Sequence, residues 1–280
     1  ELWIRTSLRI RRCSQRSWEG ILRDRHPDIT ARSLRRGALR RQRGRVTMVA
    51  TLLLRLKGPL QSWGFDSRYS QRTTGSIPSK SGVLGLLAAA EGRRRADPVS
   101  DLAQLRFAVR VDQPGSLIKD FQTYGDRSLS EGATGLVDRY YLEDAVFIAG
   151  VEGPDVELLS SLERFLNHPR YPLYLGRRSC PVSPDLVIGV KETDVVTALQ
   201  ELPWQASTKH RQSRGPVVEL PIYRDGNSTE DGMQRQDVPV SFDTNHRQYV
   251  WRTVIRDSPV IIDNADHRSH DPFFEAVMSA

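Results

Sequence analysis

Apolar positions along the chain fall into short runs of differing period, separated by stretches rich in turn residues. "TLLLRLKG" (51–58) is leucine-rich and stops at Gly58-Pro59, the pattern of a buried strand. "PLQSWGFDSRYSQRTTGSIP" (59–78) has turn residues throughout and no period, which predicts a long functional loop. "SKSGVLGLLAAAEG" then reads as a helix capped by Ser79 or Ser81, with Val83, Leu84, Leu87 and Ala88 facing the core and Gly92 ending it. "LRFAVRVD" (105–112) alternates as a half-buried strand does, and "AVFIAGV" (145–151) reads as another buried one. The intervening "SLIKDFQTYGDRSLSEGATGLVDRYYLED" has β-formers at both ends and glycines between, predicting a protruding hairpin. In "GPDVELLSSLERFLNHP", Leu158, Leu159, Leu162, Phe165 and Leu166 form one helical stripe between Pro154 and Pro169. "DLVIGV" (185–190) predicts a further strand and "DVVTALQEL" (194–202) a short helix.

This order predicts an α+β, ferredoxin-like (RNA-recognition-type) domain over residues 48–204, with a hairpin inserted around 113–143. Beyond about residue 205, "VVELPIY" and "QYVWRTVI" are strand-like, and the polar "RDGNSTEDGMQRQD" between them reads as a mobile connection. Residues 205–280 are thus expected to form a small β-rich appendage.

Charge divides the chain unevenly. Residues 1–47 carry fourteen arginines, no lysine and four acids, a net +10, while the remaining 233 residues hold 27 bases against 30 acids, a net −3. The body is therefore not globally basic, and any nucleic-acid surface on it must be local. The head has no apolar core segment of a secretory signal and no amphipathic period, although its arginine-rich, acid-poor make-up would suit an organellar transit peptide. Met48 immediately precedes the first strand, so residues 1–47 are expected to be a basic leader, disordered or outside the native fold; the competing expectation is a basic arm that binds nucleic acid. The longest apolar run, "GVLGLLAAA", is far short of a membrane span. Two cysteines, Cys13 and Cys180, give no disulfide framework and no zinc cluster, which points to a reducing cytoplasm.

Catalytic motifs are sparse. Cys180 lies in "YLGRRSCP" without a neighbouring base, so it reads as a buried thiol packing a turn. His267 and His270 stand among three aspartates in "DNADHRSHD", but no second cluster completes a metal site, and no metal or cofactor is expected. There is no glycine-rich phosphate loop. What recurs is arginine beside aromatic side chains in loops. The first loop offers Trp63, Phe65, Arg68, Tyr69 and Arg72; the hairpin offers Lys119, Phe121, Tyr124, Arg127, Arg139, Tyr140 and Tyr141. "PRYPLYLGRR" adds Arg170, Tyr171, Tyr174, Arg177 and Arg178. Guanidiniums on phosphates and rings under splayed bases are how single-stranded nucleic acid is held. Arg177 and Arg178, as neighbours in an extended loop, point to opposite sides, so unequal roles are expected of them.

"LLLRLKGPLQSWG", "IPSKSGVLGLLAAAEG" and "PRYPLYLGRRSCP" resemble, in that order, the CasD family of the type I-E CRISPR surveillance complex, Cascade, part of the RAMP superfamily of RNA-binding proteins. The resemblance runs from about Val49 to Val190 and more loosely beyond; residues 1–47 have no counterpart in it. It implies a non-catalytic subunit that caps one end of the complex and grips the 5′ handle of the CRISPR RNA. It implies an inserted hairpin, the thumb, that kinks the RNA and meets a backbone subunit, and a glycine-containing loop, here at Gly176, near the RNA. The expected RNA-binding set is Gln61, Trp63, Arg68, Arg72, Lys80, Ser81, Lys119, Tyr124, Arg127, Arg139, Tyr174, Gly176, Arg177 and Arg178, with no catalytic residue. Expected partners are the CRISPR RNA, the Cascade backbone and large subunits, and target DNA through the assembled complex, with neither membrane binding nor homo-oligomerisation. Two other readings stand beside this one: a metal-independent RAMP endoribonuclease using His168, or Tyr174 with Lys80, and a free single-strand-binding module.

Overall fold

A computed structural model describes residues 49–64, 71–125, 134–227 and 229–268, all within one unit of the chain. The expectations placed on residues 1–47, Met48, Arg68 and Arg127 lie outside them. In chain order the elements are β1 (Ala50–Lys57), β2 (Leu60–Gln61), β3 (Gln71–Arg72), α1 (Lys80–Glu91), α2 (Ser100–Ala103), β4 (Arg106–Gln113), β5 (Ser116–Gly125), β6 (Thr134–Glu143) and β7 (Val146–Gly153). They continue with α3 (Val156–Asn167), β8 (Val187–Lys191), α4 (Val195–Glu201), α5 (Thr208–Gln212), β9 (Val217–Asp225), β10 (Met233–Ser241) and β11 (Gln248–Asp263).

The fold is mixed α and β, dominated by an antiparallel seven-stranded sheet in the order β10-β11-β9-β4-β7-β1-β8. Its centre explains the apolar runs. Along β1, Leu52, Leu54 and Leu56 point into a core shared with α1 and α3, while Leu53 points the other way, against Val195, Ala198 and Leu199 of α4. Phe147, Ala149 and Val151 of β7 share the first face and Ile148 the second. A strand covered on both faces needs no polar alternation. Helix α1 starts where Ser79 Oγ accepts from the Gly82 amide and ends at Gly92, whose φ of 87° is a left-handed cap. Asp155 caps α3 through the Glu157 and Leu158 amides, and Asp194 caps α4. Among the described residues no helix is long and apolar enough to cross a membrane.

Four sequence expectations are corrected. Strand β4 is buried on both faces rather than one, because its polar positions pair internally: Arg110 grips Asp112 bidentately (2.7 and 2.9 Å) and donates to the carbonyls of Leu199, Leu202 and Pro203 at the end of α4. The C-terminal region is β-rich, but β9 pairs with β4, so it extends the main sheet instead of standing apart. The stretch read as a mobile connection ends in β10, Met233 to Asp237 being held against β11, and its first two residues close β9. Phe165, assigned to the α3 stripe by spacing, is exposed at its rim.

The join between α1 and the C-terminal strands is ionic and buried. Lys80 Nζ lies 2.8 Å from Asp225, and its backbone amide donates to Asp237 at 2.9 Å. Arg252 spans both carboxylates, 2.6 Å from each.

The second sheet is smaller. Strands β5 and β6 form the hairpin, paired from Ser116↔Glu143 to Gly125↔Thr134, and β6 also pairs with β2 and, in parallel, with β3. Hairpin, first loop and arginine loop are thereby brought together.

Candidate nucleic-acid interface

The first loop is anchored from inside. Gln61 is fully buried, its amide donating to the carbonyls of Leu56 (3.0 Å) and Ala145 (2.7 Å). Its carbonyl oxygen accepts from the Trp63 indole at 3.0 Å. Trp63, 1% exposed, packs on the first turn of α1 at Gly82, where a Cβ would come within 2.9 Å of the ring. Glycine is required there by close approach. The Trp63 amide donates to Thr74 Oγ1 (2.8 Å), and the Gly75 amide to the Trp63 carbonyl (2.9 Å), closing the loop's return.

Residues 174–181 form a closed turn. Tyr174 bridges Pro181, the Leu175 amide donates to the Cys180 carbonyl (2.7 Å), and the Cys180 amide donates to the Arg177 carbonyl (2.9 Å). Gly176 sits at φ 90°, and a Cβ there would collide with the Ser62 carbonyl oxygen. Backbone conformation and backbone approach both demand glycine at this one position. Cys180 is fully buried beneath the turn, and burial pushes its thiol pKa up, so it stays a neutral packing group.

The two arginines divide. Arg177 turns inward and ties three segments together: it donates to the Tyr140 carbonyl of β6 (3.0 Å), and to those of Arg72 (2.6 Å) and Thr73 (3.3 Å). Its guanidinium also lies over the Tyr141 ring, 4.7 Å from the centroid, and the Tyr141 hydroxyl is 3.3 Å from Ser179 Oγ. Arg178 is exposed and has no hydrogen-bond or ion-pair partner among the described residues.

The remaining expected residues separate by burial. Gln61, Trp63 and Lys80 lie inside, supporting the surface rather than lining it, because each polar group there is already matched to a protein partner. Ser81 is half-buried in the first turn of α1, its hydroxyl 3.5 Å from Ser79 Oγ. Arg72 is exposed on β3 opposite Arg139 of β6. Arg139 is half-buried, and its Nε has no hydrogen-bond partner among the described residues. Lys119 is exposed on β5, 2.9 Å from Asp138, whose carboxylate raises the ammonium's pKa. Tyr124 occupies β5 opposite Gly135. Tyr174 is half-buried beside Gly176.

Around the turn, then, Arg72, Arg139, Tyr174, Gly176 and Arg178 come to one surface, with Arg177 holding it in shape. Two contributors escaped sequence reasoning. Ser62 acts through its backbone carbonyl and Thr74 through one hydroxyl, and neither has a compositional signal. The histidine–aspartate stretch is structural where it is described: the His267 ring donates from Nδ1 to the Arg214 carbonyl (2.6 Å), and Asp266 pairs with Arg211 (3.0 Å). No group of residues suited to holding a metal occurs among the described residues.

A family model for CRISPR-associated Cas5 proteins matches residues 51–255, from β1 into β11. The chain belongs to the Cas5 family. Within it, the chain is 36% identical to the Cascade subunit CasD of Escherichia coli K12 over 160 residues, which is 51% of this chain and 71% of that protein. Its fold is similar to a chain of a solved CRISPR RNA-guided surveillance complex, with a TM-score of 0.66 and 32% identity, covering 81% of this chain and 96% of the other. A crystal structure of a Cas protein matches at TM-score 0.58 and 37% identity, over 79% of this chain and 98% of that one. All the Cas5 surface residues named above fall inside the span of the family match.

Proposed function

We propose that this Cas5 protein is a non-catalytic CRISPR RNA-binding subunit of a type I-E Cascade complex in the cytoplasm. In this reading it grips the 5′ handle and caps one end of the assembly. The strands β8-β1-β7-β4, with α1 and α3 in their connections, serve as a ferredoxin-like RAMP domain, and the β5–β6 hairpin as its thumb. The hairpin meets a backbone subunit, the large subunit lies alongside, and target DNA is reached only through the whole complex. The single observation that carries the reading is the split at Arg177 and Arg178. One guanidinium is spent on fixing the turn, which leaves its neighbour presented to solvent without a counter-charge. A guanidinium so placed can engage a phosphate bidentately.

Holding rather than cutting is favoured by how the candidate catalytic groups are placed. Metal-independent RNA cleavage needs a positioned base. Lys80 is committed to Asp225 inside the protein, and His168 is an exposed residue at the end of α3. Incubating the purified chain with repeat RNA in EDTA tests this: the RNA should be retained intact, whereas discrete cleavage products would replace the proposal with an endoribonuclease.

A further inference from the structure

Arginines without acidic partners gather at a second place. Across the described body, Arg55, Arg93, Arg106, Arg110, Arg211, Arg224, Arg235 and Arg252 pair with carboxylates. At the C-terminal end of α1, Arg94, Arg95, Arg170 and Arg247 are all exposed, and none of the four guanidiniums has a carboxylate partner among the described residues; Asp97 accepts from the Arg94 backbone amide (2.7 Å). They come from three separate parts of the chain. Arg170 is delivered by its own backbone, its amide donating to the Ala90 carbonyl (3.0 Å) and that of Tyr171 to Ala89 (3.3 Å), while the Arg170 stem packs on Gly92. Arg247 arrives on the β10–β11 turn, which Phe242 fastens to α1 at Gly85. The ring of the half-buried Tyr249 stands 6.5 Å from that of Phe242, and its hydroxyl feels both Arg247, which hydrogen-bonds to it, and Arg95.

A helix C-terminus favours nearby cations, but this end is already satisfied. The carbonyls of Ala88, Ala89 and Ala90 accept from the amides of Gly92, Arg93, Arg170 and Tyr171. Arg93, the cation next to the cap, is consumed by Glu91 and Asp101. Four further like charges, one of them brought from about 150 residues away in sequence, are not explained by capping. The segment joining this cluster to the arginine turn carries Tyr171 and the half-buried Tyr174. It is bonded to α1 at Ala89 and Ala90 and ends at Gly176 against Ser62, whose neighbour Trp63 packs on α1 at Gly82. From Ala90 to Gly82 is about 12 Å along the helix axis, or roughly three to four nucleotides of a stacked strand at about 3.4 Å each.

We infer that Arg94, Arg95, Arg170 and Arg247 form a second phosphate-binding cluster, which takes the sugar–phosphate backbone of single-stranded RNA a few nucleotides beyond the arginine turn. This rests on the RNA-holding role proposed above. The strand follows residues 170–178 along α1, with Arg178 at one end and the four-arginine cluster at the other.

The test uses the full chain, so that its arginine-rich N-terminal segment contributes equally to every variant. A fluorescent single-stranded RNA of about 12 nucleotides is titrated at several salt concentrations against wild type, Arg178→Ala, and the triple variant Arg94→Ala/Arg95→Ala/Arg247→Ala. The triple variant should keep the wild-type melting temperature and lose about two units of slope in log affinity against log salt, at roughly 0.7 per phosphate contact. Lysine at the same three positions should restore that slope. An unchanged slope in the triple variant, with Arg178→Ala still weakening RNA binding, would overturn the second cluster and leave the first site standing. No effect from either variant would overturn both. Intact RNA binding with loss of an acidic partner protein in the triple variant would reassign the cluster to a protein interface.

Discussion

The guanidinium of Arg177 lies over the ring of Tyr141, 4.7 Å from its centroid. This stacking orients the fork that reaches the Tyr140, Arg72 and Thr73 carbonyls, so the turn, the hairpin and the first loop share one fastener. Arg177→Ala should therefore lower unfolding stability by about 2–3 kcal/mol, through lost charged hydrogen bonds and the cation–π contact. Arg177→Lys should recover little of it, because the ammonium cannot span three carbonyls. Arg178→Ala should shift stability by no more than about 0.5 kcal/mol yet weaken RNA binding. Urea unfolding and RNA titration on the single variants check this; equal, additive effects of the two on both readouts would contradict the division.

Gly176→Ala should disturb the surface without removing a contact group. The substitution meets both a φ of 90° and the Ser62 carbonyl, so either Leu175–Cys180 or the first loop must move. A loss of about 1–3 kcal/mol is expected from backbone strain, together with weaker RNA binding. Wild-type stability in the variant would mean that the turn is held far less tightly than these contacts require.

Trp63 acts through packing. Trp63→Ala should cost about 3–5 kcal/mol, as for other large buried side chains. Trp63→Phe should cost less, about 1–2 kcal/mol, chiefly for the buried Gln61 oxygen left without its indole donor. Thermal or chemical denaturation measures both. Unaltered stability with weakened RNA binding would instead put the indole against a base.

The strand and helix order was readable because its signals are local. Leucine-rich and apolar runs marked β1 and β7, and Ser79 and Gly92 bounded α1 in the expected way. What depends on distant pairing was not readable. Arg110 and Asp112 look like the polar half of an alternating strand until the Leu199–Pro203 carbonyls arrive from almost a hundred residues away to bury them. Lys80 and Gln61 look like surface groups for the same reason: their partners, Asp225 and Ala145, lie far along the chain. At the site, alternation foretold that Arg177 and Arg178 would differ. Which one turned inward was decided by carbonyls on β3 and β6, invisible in side-chain patterns.

His210 should make stability pH-dependent. Burial, reinforced by the charge of Arg214, pushes its pKa below the usual 6.5, and its Nε2 accepts from Arg214 Nε at 3.2 Å. The folded state thus binds a proton less readily than the unfolded chain, so this contribution is fully present above about pH 6.5 and declines as pH falls through the lowered folded value. His210→Gln should flatten the decline between about pH 6.5 and pH 5 in thermal melts. A wild-type pH profile in the variant would show that the acid sensitivity arises elsewhere.

The most direct test of RNA holding is site-specific crosslinking. The chain would be reconstituted with its complex on CRISPR RNA carrying photoreactive uridines in the 5′ handle, and crosslinked peptides would be identified by mass spectrometry. Crosslinks should concentrate on residues 174–178 and on the adjoining strand β6, and fall selectively when Arg178 is replaced by alanine. Efficient crosslinking of the handle to other subunits, with none to this turn, would contradict the account.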